Sequence, residues 1–271
     1  RFPLLIKILD AQETLSVQVH PPESVARQLG GEPKTEMWYI TDATPGAELF
    51  AGLKAGTTRA GFETSIAGGT VAELLHRVPV KADDVMFLPS GRIHAIGAGN
   101  VIFEIQQNSD TTYRVFDWNR VGLDGKPREL HVEKGLASID WAAGPVRPVH
   151  AVGYGEDDAP VTQRLVSCPY FELTYRRERE AFRLGGNGRL RAVMVLHGRA
   201  EVWTLVEVAE WRRPRRTGTS SSTHRNGVSS AGPAAGRATM TTTTMMAAAV
   251  GVAGSPPPPL QRPAACRTRS T

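Results

Sequence analysis

The chain has 271 residues, 41% hydrophobic and 22% charged, enough for one large or two small globular units with a real core. No run approaches 18 consecutive apolar residues, which excludes a helical membrane span, and two cysteines 98 positions apart, Cys168 and Cys266, exclude a disulfide framework or a thiolate metal site. The formal charge of +5 lies wholly in residues 204–271, where nine arginines face only Glu207 and Glu210; residues 1–203 hold 23 basic and 25 acidic side chains, which excludes a nucleic-acid-binding face built on net charge.

In chain order, Leu4–Leu9 predicts a buried strand, and the Lys7 and Asp10 embedded in this opening do not fit a signal peptide. The chain starts at Arg1 rather than Met, and the expectation is of a unit whose N-terminal portion is missing. Leu15–His20 alternates cleanly, with Leu15, Val17 and Val19 on one face and Ser16, Gln18 and His20 on the other. Further strands are predicted at Met37–Thr41, Glu48–Gly52, Asp84–Leu88, Ile93–Ile96, Val101–Gln106 and Thr112–Trp118, the last two as a hairpin. Short helices are predicted at Pro22–Leu29, Thr70–Arg77 and Val132–Ile139, and turns at Pro21-Pro22, Gly30-Gly31, Pro45-Gly46 and Pro89-Ser90-Gly91. Many short strands at this spacing predict an all-β sandwich or barrel.

A second alternating block covers Phe171–Arg176 and Leu190–Val202, joined by a glycine turn at 185–188. It stops at Trp203, where a text rich in Arg, Ala, Thr and Pro begins, including Thr241–Thr244 and Pro256–Pro259. The domain reading is therefore a first β-domain over 1–140, a linker and the start of a second over 141–203, and a disordered basic tail over 204–271 with the look of a shifted reading frame. Strands of the second unit would lack partners, and the chain is expected to aggregate.

Four side chains stand out as a metal set. Gln18 and His20 leave the same face of one strand, Glu36 shares a face with Lys34, and His94 opens a strand after a tight turn. Two imidazoles, a carboxylate and an amide suit a divalent transition metal with positions open for substrate or water. His76, His131, His150 and His197 read as structural histidines. Trp38 and Tyr39 read as core, and the polar stretch Asn108–Thr111 as a turn.

The segment Asp83-x5-Pro89-x-Gly91-x2-His94-x5-Asn100 resembles the second histidine motif of the cupin superfamily, with Asp83 where that motif begins with glycine and a longer spacer before Asn100. The runs Leu15–Glu23, Lys34–Tyr39, Leu88–Gly97 and Phe103–Trp118 together resemble the short bacterial form of the type I mannose-6-phosphate isomerases. The resemblance is dense over residues 2–140 and loose over 160–203. It implies a cupin barrel (a double-stranded β-helix, or jelly roll) with short helices, then a second cupin barrel that is incomplete here. It further implies one zinc per chain, held by Gln18, His20, Glu36 and His94, in a cytoplasmic enzyme, expected to be a monomer. That enzyme would interconvert mannose 6-phosphate and fructose 6-phosphate through an enediol. By the same resemblance Arg114 and Glu104 fall in the active site, Arg114 as the stabiliser of anionic oxygen and Glu104 as general acid or base. Lys34 is expected to be catalytic and substrate-binding, and Ser16 substrate-binding. Two other readings stay open: a metal-dependent cupin oxygenase, and a non-catalytic phosphosugar-binding cupin. Neither nucleic acid nor membrane is an expected partner.

Overall fold

The computed structural model describes residues 3–122, 124–151, 160–182, 184 and 191–199, together with the backbone of 243–250. Apolar and polar residues alternate along most of the strands, so each strand offers two faces, and the fold buries both. Two five-stranded antiparallel sheets make the first unit. The first contains β1 (Leu4–Ala11), β3 (Glu36–Ala43), β6 (Asp84–Leu88), β8 (Asn100–Gln107) and β10 (Val149–His150), in the order β1-β8-β3-β6-β10. The second contains β2 (Val17–Val19), β4 (Glu48–Leu53), β5 (Leu75–Pro79), β7 (His94–Ile96) and β9 (Tyr113–Phe116), in the order β5-β4-β7-β2-β9.

Between these sheets lie Trp38 and Ile40 of β3, Met86 of β6 and Ile102 of β8, meeting Leu49 of β4 and Ile96 of β7. The outer face of the second sheet, including Val17, Val19 and Val115, is covered by the helices α2 (Arg59–Gly68) and α3 (Val132–Ser138) through Phe62 and Leu136. A short helix, α1 (Glu23–Ala26), follows β2. The outer face of the first sheet, with Met37, Tyr39 and Phe103, packs on Phe171, Leu173 and Tyr175 of a third sheet. That sheet is four-stranded, β11 (Val161–Ser167), β12 (Phe171–Glu178), β13 (Arg191–His197) and β14 (Thr243–Val250), in the order β11-β12-β14-β13.

The structure corrects three expectations. Thr70–Arg77 is not a helix. It makes one 3-10 turn at Val71–Leu74 and then enters β5, which pairs with β4 and buries Leu75 and Val78. The edge of β4 supplies hydrogen bonds that the helical pattern of TVAELLHR could not outweigh, and Pro79 ends the strand where no ladder donor is needed. The helix in this region lies earlier, at α2, with Thr58 Oγ1 accepting from Gly61 N–H and Gly69 ending it in the left-handed conformation at φ 68°. β8 and β9 are not a hairpin, because they belong to opposite sheets. The intervening residues cross the barrel, held by Gln106 Nε2 donating to Ser109 O at 2.9 Å. Finally, residues 243–250 are not structureless: β14 pairs antiparallel with both β12 and β13 and fills the gap expected in the second unit. TTMMAAAV contains no charge, Pro or Gly, which suits it to continue a ladder. The glycine turn at 185–188 and the rest of 204–271 lie outside the described residues.

Candidate active site

The two sheets bring the expected metal set together from three strands. Gln18 of β2 and His94 of β7 are cross-strand partners in the second sheet. His20 directly follows β2, where the Gly91 N–H donates to His20 O at 2.7 Å. That tight turn needs Gly91, whose φ is +89°. Glu36 opens β3 in the opposite sheet. His20, Glu36 and His94 are all buried, and their ligand atoms lie within 4.8 Å of one another.

The hydrogen-bond pattern decides what such a cluster can hold. His20 Nδ1 donates to the Thr111 carbonyl at 2.8 Å, and His94 Nδ1 donates to the Arg92 carbonyl at 2.8 Å. A carbonyl only accepts, so each ring carries its proton at Nδ1 and turns the bare Nε2 inward. There His20 Nε2 lies 3.3 Å from Glu36 Oε2, and His94 Nε2 lies 3.1 Å from Glu36 Oε1. Lone pairs face lone pairs. His20 Nε2 and both Glu36 oxygens are buried without a hydrogen-bond partner, an arrangement that a central cation resolves. The Gln18 amide lies 3.3 Å from His94 Nε2 and can turn its oxygen to the same centre. This is a mixed N/O donor set that fits a divalent transition ion.

Protonation follows the burial. Desolvation pushes His20 down to about 4, against the opposing pull of Glu36.

The expected companions divide. Lys34 is buried with Nζ 3.2 Å from Glu36 Oε2. Trp38 stands edge-on to His94, with centroids 5.3 Å apart, and walls the site. Glu104 shares the inward face with Trp38, whose Nε1 donates to Glu104 Oε1 at 3.0 Å. Glu104 does not pair with Arg114. Its cationic partner is Lys7 of β1, at 2.5 Å, a residue that sequence reasoning passed over. The available signal was its strand position: Lys7 alternates in phase with Leu9 and Ala11, both of which pack on the barrel core. Arg114 sits across β9 from Gln18 on the same face, donating from Nε to Ser16 Oγ at 3.2 Å and from Nη1 to Glu129 O at 2.9 Å. Asp83, where the cupin motif has glycine, adopts a left-handed φ of 70° and accepts from the Tyr39 hydroxyl.

The family model of the phosphomannose isomerase type I catalytic domain matches residues 1–36. Mannose-6-phosphate isomerase ManA of Bacillus subtilis is 46% identical over 175 residues, 64% of this chain and 55% of the relative. The chain is a relative of the type I phosphomannose isomerases. Mannose-6-phosphate isomerase of Streptococcus mutans is 48% identical over 181 residues, 64% of this chain and 54% of the relative. The crystal structure of the Bacillus subtilis mannose 6-phosphate isomerase matches with a TM-score of 0.56 at 32% identity, covering 73% of this chain and 63% of that one. The chain thus spans about half the length of these curated phosphomannose isomerases. The fold is the all-β cupin architecture of that family. Among the described residues no helix is long and apolar enough to cross a membrane.

Proposed function

We propose that the barrel is a zinc-dependent aldose–ketose isomerase site that interconverts mannose 6-phosphate and fructose 6-phosphate through an enediol. The observation that carries this reading is the buried cluster of His20, Glu36 and His94, in which His20 Nε2 and both Glu36 oxygens lack a hydrogen-bond partner, with the Gln18 amide beside it. These four residues would hold one zinc ion, and the ion would supply Lewis acidity at the sugar's O1 and O2.

The remaining side chains have separable tasks. Alongside a hydroxyl proton passed between O2 and O1, isomerisation moves one carbon-bound proton between C2 and C1. Glu104 is the general base that takes it from one carbon and, as the conjugate acid, returns it to the other. Its Oε1 is tied to the Trp38 indole, and its Oε2 lies 2.5 Å from Lys7 Nζ. Lys34, one of the few cations on the inner face, meets the developing negative charge on the sugar oxygens while balancing Glu36. Arg114 and Ser16, already joined to each other, bind an anionic oxygen of the phosphosugar. Trp38 excludes water beside His94.

The test is turnover of mannose 6-phosphate by the full chain loaded with zinc, under air and under argon. Equal rates in both, lost in His94→Ala together with stoichiometric zinc, support the isomerase. Oxygen-dependent turnover would make the site an oxygenase, and an active, zinc-free His94→Ala protein would remove the metal from the account.

A further inference from the structure

Immediately after β9, Trp118 and Asn119 both take the left-handed backbone, each at φ 55°. This conformation is uncommon for residues with a Cβ, and for a side chain as large as tryptophan it persists only where neighbours enforce it. The enforcement is visible. Arg120 N–H donates to Asp117 O at 3.1 Å, Trp118 Nε1 to Leu15 O at 2.7 Å, and Asn119 Nδ2 to Gly69 O at 3.2 Å. The chain then reverses near Gly122 and Lys126, whose N–H and carbonyl bond at 2.7 Å, and returns toward β9.

On the returning limb Arg128 meets Asp117 with two prongs, Nε to Oδ2 at 2.7 Å and Nη2 to Oδ1 at 2.5 Å. Arg120 Nη2 reaches the same carboxylate at 2.7 Å. Asp117 is buried, while both arginines are partly exposed. The planar fork fixes the Arg128 side chain in direction as well as distance. The next carbonyl, that of Glu129, accepts from Arg114 Nη1, and His131 completes the return by donating its N–H to Arg114 O at 2.7 Å. Arg114 is therefore held between Ser16 on its own strand's neighbour and a carbonyl delivered by the returning limb.

We propose that Asp117 is a positioning residue for the isomerase site: by clamping Arg128 it fixes the Glu129 carbonyl against Arg114, and so sets the direction in which the free guanidinium N–H groups of Arg114 meet the phosphosugar. This rests on Arg114 being a substrate contact, as proposed above. Asp117 itself touches no substrate. Its carboxylate acts through two intervening groups, and Arg120 serves to close the turn from which the excursion starts.

Asp117→Asn in the full chain keeps the side-chain volume and removes the charge. The expected result is unchanged zinc per chain with kcat/KM for mannose 6-phosphate lowered roughly 10- to 100-fold, the scale of a misplaced binding group. In an Arg114→Ala background the same substitution is expected to change kcat/KM by less than about 2-fold, because the residue it positions is gone. Equal losses in both backgrounds, or no loss in the parent, overturn the inference. A readout independent of turnover keeps it apart from the reading of function. The Nε–H resonance of Arg114, protected by Ser16 in the parent, should exchange faster with water in Asp117→Asn; unchanged exchange overturns the inference even if the parent turns over no sugar. Should Asp117→Asn not fold, Arg128→Lys keeps the charge, loses the two-pronged contact, and carries the same expectations.

Discussion

Glu36→Gln removes one charge from a place where water cannot compensate. Glu36 is fully buried, and Lys34, a residue only 5% exposed, has its ammonium 3.2 Å from Glu36 Oε2. At an effective dielectric near 20, unit charges at that spacing attract by about 5 kcal/mol. Neutralising one member of a buried pair costs about 3–5 kcal/mol, because the other charge stays behind. Against a total stability of about 5–15 kcal/mol, the metal-free variant is expected to lose a large fraction of its folded margin. Adding Lys34→Met removes both charges and is expected to recover most of that loss. Zinc then separates pairing from ligation. Free zinc at 100 times its Kd stabilises the parent by about 2.7 kcal/mol, whereas the double variant, lacking the anionic ligand, is expected to gain less than about 1 kcal/mol at the same concentration. Urea unfolding followed by tryptophan fluorescence, with chelator and with buffered zinc, measures all four quantities. Metal-free Glu36→Gln within about 1 kcal/mol of the parent, or a double variant that responds to zinc as the parent does, would refute the reasoning.

Two further outcomes follow from the elements that carry Arg114. A Cβ at Gly135 of α3 would lie 2.2 Å from Val115 Cγ1 on β9. Gly135→Ala is thus expected to lose more to overpacking, about 1–3 kcal/mol, than the roughly 1 kcal/mol it gains in helix propensity, and to lower kcat/KM while zinc is retained; a raised melting temperature would contradict this. Burial alone would raise the Asp117 carboxyl, but hydrogen bonds from Arg128 and Arg120 hold it below the usual range. Its contribution is complete above the unfolded value of about 4 and is lost as pH falls through the lower folded value. The stability difference between the parent and Asp117→Asn, followed by urea titration, should be flat above about pH 5 and shrink below pH 4; a difference that grows in acid would contradict the assignment.

The clustering of Gln18, His20, Glu36 and His94 was legible because strand alternation is a local property. Once Gln18 and His20 share a face with Ser16 against Val17 and Val19, the polar row must point at something polar, and it points into the barrel. The same rule placed Lys34 beside Glu36. What local pattern could not give was pairing between distant strands. Glu104 and Arg114, ten residues apart, look like hairpin neighbours, yet β8 and β9 lie in opposite sheets and Glu104 answers to Lys7 across β1. The helix predicted at Thr70–Arg77 failed for a related reason, since the exposed ladder of β4 recruited Leu75–Pro79. Thr243–Val250 was hidden by its surroundings: eight unbroken residues inside a Pro-, Gly- and Arg-rich text found two strands to join.

X-ray absorption at the zinc edge of the purified chain, with metal content measured on the same sample, probes the shared centre of Gln18, His20, Glu36 and His94 most directly. One zinc per chain with two imidazole nitrogens and two or more oxygens at about 2.0–2.2 Å is the expected result. Imidazole scattering that survives unchanged in His94→Ala, or zinc held by sulfur, would mean that the four side chains do not form the site.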